Sequence, residues 1–154
     1  MFKIHCPIIE KNNTPELYTQ ILQYQKIKPC CLNMPNCSHP ALQTGEGLHK
    51  TFTFFEESLK SIFNKDVLIL KTWAFITMPN NTVKSSWHNH AMSESNFSAL
   101  CYLTQDGVGT QFEGNLTLKS SKNYWNIFDS KLMHSPLNKK IDTLRITIAS
   151  DLKI

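Results

Sequence analysis

Arginine is nearly missing from this chain: Arg145 stands alone against fifteen lysines. Those lysines are scattered from Lys3 to Lys153, with Lys139-Lys140 the only adjacent pair, so nothing lays out the basic face that a phosphate backbone needs. Nucleic-acid binding is not indicated, and the pair itself reads as a solvated turn. No segment approaches the roughly eighteen apolar residues of a membrane span, and residues 1–10 hold no apolar stretch of signal-peptide length. The expectation is a soluble cytoplasmic protein without a membrane partner. The five cysteines are odd in number, which points to reduced thiols rather than a disulfide frame. Cys30, Cys31, Cys37 and His39 lack paired Cys-x-x-Cys knuckles, which argues against structural zinc. No internal repeat or low-complexity tract is present.

A length of 154 residues with 41% hydrophobic and 18% charged content describes one ordinary globular domain with a core of its own. Its patterning changes once, near Lys65. Before that point, Thr14-Pro15-Glu16 reads as an N-cap followed by proline at the first helical position, opening a helix through Tyr18, Ile21, Leu22 and Tyr24 to about Lys26. Leu48, Phe52, Phe55, Leu59 and Ile62 then recur at three- and four-residue spacings, predicting a second helix with one apolar stripe. After Lys65 the pattern favours strands, over 67–77, 83–88, 97–104, 109–112, 116–119, 124–128, 132–134 and 143–150, each bounded by turn residues. The expected class is therefore mainly β with N-terminal helices. Residues 1–65 form a helical support region, and residues 66–154 a β-sandwich of jelly-roll type.

His88 and His90 are two apart, so in an extended chain both rings point to one face and can share an ion. His134 and Arg145 fall in later strands, rigid places from which to converge on that pair. Arginine is the side chain that grips a carboxylate through two parallel hydrogen bonds, which lysine cannot reproduce. An arginine inside Leu-x-Ile-x-Ile also faces a core it cannot tolerate without an anion. Trp73, Trp87 and Trp125 read as core or pocket wall.

The motifs that carry a resemblance are Trp87-His88-Asn89-His90, Ala99-Leu100-Cys101-Tyr102-Leu103-Thr104, Gly109-Thr110-Gln111-Phe112, Asn126-Ile127-Phe128-Asp129-Ser130, Met133-His134-Ser135-Pro136 and Arg145-Ile146-Thr147-Ile148. In that order, over residues 67–151, they resemble the 2-oxoglutarate- and Fe(II)-dependent oxygenases. The resemblance implies a double-stranded β-helix (jelly roll, cupin-like), with His88, His90 and His134 as metal ligands and no further catalytic side chain. It implies Fe(II), 2-oxoglutarate and O2 as cofactor and cosubstrates, with Arg145, Thr147 and Tyr102 receiving the far carboxylate of 2-oxoglutarate. The reaction implied is hydroxylation of an unidentified primary substrate with release of succinate and CO2. One position departs from the pattern: where the family carries a carboxylate, this chain has His90. That substitution leaves the centre one negative charge short, and Glu94, four residues on, is an alternative ligand.

Two other readings compete. A cupin-type metal protein would use His88, His90, Glu94 and His134 without 2-oxoglutarate, but offers no role for Arg145. A jelly-roll binding module would bind no redox metal at all. The sequence leaves the oligomeric state and the primary substrate open.

Overall fold

The computed structural model describes residues 1–5, 15–30, 37–45, 48–84, 86–91 and 94–154. Among them two helices stand over ten strands: β1 (Phe2–His5), α1 (Pro15–Ile27), α2 (His49–Phe63), β2 (Leu68–Thr77), β3 (Thr82–Val83), β4 (Phe97–Tyr102), β5 (Thr110–Phe112), β6 (Leu116–Leu118), β7 (Tyr124–Asp129), β8 (His134–Pro136), β9 (Lys139–Lys140) and β10 (Arg145–Lys153). The main sheet runs β1-β7-β4-β10-β2, each neighbouring pair antiparallel. A three-stranded sheet, β6-β5-β8, and the pair β3-β9 form the smaller layer. The fold is mainly β with N-terminal helices, a double-stranded β-helix, as the strand pattern predicts.

The two faces of the main sheet take different partners because successive side chains on a strand point to opposite sides. Ala99 and Cys101 of β4, with Ile146, Ile148 and Leu152 of β10, face the helices. There they meet Leu17 and Ile21 of α1 and Phe52, Phe55 and Leu59 of α2 in one core. Trp125 anchors that core, its ring stacked on Phe55 at 3.9 Å and met edge-on by Phe52 at 6.1 Å. On the other face, Leu100, Tyr102 and Ala149 pack with Phe112, Leu118 and Phe128 between the sheets. β10 is hydrogen-bonded on both edges, to β2 and β4, and eight of its nine residues are buried.

Several expectations need correction. Residues 1–65 are not purely helical, because β1 adds an edge strand by pairing with β7. Ile62 is 55% exposed, whereas Phe63, four residues beyond Leu59 rather than three, turns inward onto Phe97 at 6.0 Å. Lys139-Lys140 is exposed as expected, but it is strand β9, paired with β3. The run expected as a strand over 83–88 is shorter, since β3 ends at Val83. The final strand is longer, continuing to Lys153. The N-cap expected at Thr14 and the cysteines Cys6 and Cys31 lie outside the described residues. Cys30, Cys37 and Cys101 are free thiols. No helix among the described residues is long and apolar enough to cross a membrane.

Candidate metal centre and anion pocket

Backbone register brings the three histidines together. His88 and His134 form an isolated antiparallel bridge, the His88 amide donating to the His134 carbonyl at 3.0 Å and the His134 amide returning the bond at 2.9 Å. Two residues further, the His90 amide donates to the Ser130 carbonyl at 2.8 Å, keeping the chain extended so that both rings of the doublet face one way. The ring centroids lie 4.5 Å apart for His88 and His134, 5.3 Å for His90 and His134, and 5.4 Å for His88 and His90. One ring nitrogen from each lies within 4.8 Å of the other two.

The tautomers follow from the acceptors. His88 Nδ1 lies 2.8 Å from the Ser86 carbonyl and His134 Nδ1 lies 2.9 Å from the Leu132 carbonyl. A carbonyl oxygen only accepts, so both Nδ1 atoms donate and both lone pairs sit on Nε2. His90 Nδ1 lies 2.9 Å from a carboxylate oxygen of Asp151, so it too donates from Nδ1. Three clustered imidazoles are what such a metal demands, and fixing Nδ1 with an acceptor is how proteins orient such rings. Burial, more than any other influence, pushes His134 down to about 4 and lowers His88 from its ordinary value. These two rings are therefore neutral at neutral pH, as ligation requires. Trp73 stacks on His90 at 5.4 Å and Phe128 meets His134 edge-on at 5.0 Å, limiting the swing of both.

The cavity in front of the rings has a volume of about 290 Å³. Its wall includes Trp73, Phe75, Leu100 and Phe128 on the apolar side and Arg145, Thr147 and Thr110 on the polar side. Arg145 and Thr147 are alternate residues of β10 and so share its inward face. Both are buried, and among the described residues neither Arg145 Nε nor Thr147 Oγ1 has a hydrogen-bond partner. Asp106, absent from the sequence reading, lies 3.7 Å from Arg145 Nε, an ion pair too long to be a hydrogen bond. Burial lowers the Arg145 pKa from its ordinary value, and Asp106 is the main group opposing that shift.

Tyr102 is fully buried and stands behind the cavity wall, its phenol 2.6 Å from the hydroxyl of Thr110, which does line the cavity. Burial raises its pKa to about 12, so the phenol stays protonated. Glu94 is not brought to the histidines. Its side chain is 83% exposed, and its carboxylate lies 3.9 Å from the Lys153 amine. The carboxylate that reaches the His90 ring comes from Asp151 instead. Of the tryptophans, Trp73 lines the cavity, Trp125 is core, and Trp87 is 47% exposed.

No family profile matches the sequence, and no curated protein does. Solved structures match in shape. The non-haem monooxygenase ThoJ, as its nickel complex, superposes with a TM-score of 0.70 at 12% identity, covering 99% of this chain and 72% of that one. The viral collagen prolyl hydroxylase of Paramecium bursaria Chlorella virus-1, in complex with 2OG, gives 0.59 at 11% identity over 98% of this chain and 94% of that one. The non-haem alpha-ketoglutarate-dependent epimerase SnoN gives 0.60 at 10% identity, over 76% and 60%. The chain resembles these proteins in fold, and its His88, His90 and His134 cluster fits a facial triad.

Proposed function

We propose that this protein is a 2-oxoglutarate- and Fe(II)-dependent oxygenase that hydroxylates an organic substrate, releasing succinate and CO2. One observation carries the reading: the clustered rings of His88, His90 and His134 line the same cavity as a buried arginine whose Nε, and a threonine whose hydroxyl, still want acceptors. A metal alone would explain the first half and not the second. A diacid with a chelating end and a far carboxylate explains both.

In this reading His88, His90 and His134 hold the metal through Nε2. Arg145 and Thr147 donate to the far carboxylate, with Thr110 beside them and Tyr102 holding Thr110 in place. Bound Fe(II), with 2-oxoglutarate and O2, supplies the oxidising power for attack on an unreactive C–H bond, which no side chain of this protein could supply. The aromatic and aliphatic wall keeps water from that chemistry. A cavity of about 290 Å³ is at the small end of the roughly 300–1,000 Å³ typical of ligand sites. A cytoplasmic setting belongs to the same reading and rests on the cysteine content, with Cys30, Cys37 and Cys101 carried as thiols. The cupin-type alternative loses its fourth ligand, because Glu94 points to solvent.

Anaerobic titration tests the proposal. Fe(II) is added to the purified chain, then 2-oxoglutarate, and the visible spectrum is followed. A weak metal-to-ligand charge-transfer band that appears only with both supports the oxygenase. Iron binding with no response to 2-oxoglutarate would sink it in favour of a cupin-type site, and absence of iron binding would leave a bare binding module.

A further inference from the structure

The inner face of β10 carries a row of alternate residues: Arg145, Thr147, Ala149 and, at its far end, Asp151. Arg145 and Thr147 serve the anion end of the cavity. Asp151 serves the other end, where its Oδ1 accepts from His90 Nδ1 at 2.9 Å, with the two side chains 6% and 13% exposed. The strand bulges immediately afterwards, its pairing with β2 shifting between Asp151 and Leu152, a distortion that re-aims side chains at the end of a run. Ser98, directly across on β4, offers its hydroxyl to the same oxygen at 3.5 Å. Burying a carboxylate is costly unless something of opposite charge answers it. The contacts that answer it are one short bond from the His90 ring and one long one from the Ser98 hydroxyl, and a divalent ion on the far nitrogen of that ring would add an opposite charge in line with the first.

We propose that Asp151 is the positioning residue of the metal centre. It fixes His90 with Nε2 toward the ion and returns, through the ring, the negative charge that a His-x-His doublet lacks. The carboxylate missing from the first rank of ligands is thereby recovered one bond further out, on the last strand of the sheet instead of in the doublet. This inference rests on the proposed three-histidine metal site, but not on 2-oxoglutarate. Outer-shell partners of this kind typically change metal affinity by about 10- to 100-fold.

The test is a thermodynamic cycle of Co(II) affinity, measured by calorimetry on the full chain without 2-oxoglutarate. It compares the wild type with Asp151→Asn, His90→Ala and the double variant. Asparagine keeps an acceptor for Nδ1–H and removes only the charge. The expected result is a loss of about 10- to 100-fold for Asp151→Asn, with the visible d–d bands of bound Co(II) shifted. No further loss is expected when the same change is made on His90→Ala, since residues acting through one another are not additive. Unchanged affinity in Asp151→Asn, or an equal loss in both backgrounds, overturns the proposal. Melting temperatures of the metal-free variants separate misfolding from loss of the ion. If the wild type itself holds no Co(II), the metal centre fails and this inference with it. If it holds Co(II) but fails to take up 2-oxoglutarate, only the oxygenase reading fails.

Discussion

Arg145 Nε stands 3.7 Å from Asp106 Oδ2, both side chains almost sealed from water, and no hydrogen bond joins them. A guanidinium so placed is balanced in charge but incompletely bonded. Replacing Arg145 with alanine is expected to weaken 2-oxoglutarate binding by about 10- to 100-fold, the worth of charge-assisted hydrogen bonds. Co(II) affinity should be nearly unchanged. Lysine should rescue little, since a point charge cannot reproduce the fork. Calorimetry of the Co(II)-loaded protein with 2-oxoglutarate decides the matter, and an equal loss of metal and cosubstrate affinity would show that Arg145 holds the fold and not the diacid.

Asp106 sits in a turn, where its Oδ1 accepts from the Val108 amide at 2.7 Å and its Oδ2 accepts from the Thr104 hydroxyl at 2.9 Å. Asp106→Asn keeps one acceptor oxygen, for the Val108 amide, and sets an NH2 donor against the Thr104 hydroxyl, while removing the charge opposite Arg145. The metal-free protein should lose about 1–3 kcal/mol, less than the roughly 3–5 kcal/mol for breaking a well-formed buried pair. 2-Oxoglutarate should bind more tightly, because it becomes the sole partner of the guanidinium. Thermal melts with and without the diacid read both effects. A variant with unchanged stability and unchanged affinity would show that the pair is electrostatically idle.

The parts of the site legible in the sequence are those whose residue type is rare in its setting. A single arginine in an aliphatic strand, and histidines two apart followed by a third, advertise themselves through cost. Asp151 obeys the same two-residue period as Arg145 and Thr147, so a signal existed. It was hidden because aspartate is depleted in strands, and Ser150-Asp151 reads as a strand end when the strand in fact runs to Lys153. Asp106 precedes Gly107, which adopts φ 73°, and the pair has the composition of an ordinary turn, so nothing marked Asp106 as part of the site. That its Oδ2 also reaches Arg145 is a matter of how that loop folds over β10, which no local pattern encodes. Strand β1 was missed because four residues are too few for periodicity to declare. The convergence of His88 on His134 depends on a single bridge rather than a long ladder, so it was legible only through the family resemblance.

His134 ties the stability of the metal-free protein to acidity. Its folded-state pKa falls to about 4, chiefly through burial, against an ordinary value of 6.5. Between these values the unfolded chain binds a proton that the folded chain refuses, so stability is full above about 6.5 and declines as the pH drops toward 4. The decline amounts to about 3 kcal/mol, or roughly 6–12 °C in melting temperature for a chain of this size. Melts of metal-free protein at stepped pH should show it. His134→Gln, which cannot titrate, should flatten the slope without abolishing it, since burial also lowers His88. A wild-type profile already flat over this window would mean that the ring is solvated and protonates freely.

Restoring the carboxylate that this doublet lacks is not a single substitution. His90→Asp would place a second carboxylate on a backbone that already brings residue 90 to Asp151, and it would remove the Nδ1–H that satisfies that group. Two buried carboxylates without a donor between them repel, and one is driven to hold a proton. His90→Asp alone is therefore expected to bind Co(II) more weakly than the wild type and to melt at a lower temperature. Adding Asp151→Asn supplies an amide donor to the new carboxylate and removes the repulsion, so the double variant should recover both. Affinity measured across this pair of variants separates the two accounts: if His90→Asp is by itself as good a metal binder as the wild type, Asp151 exerts no charge on the centre.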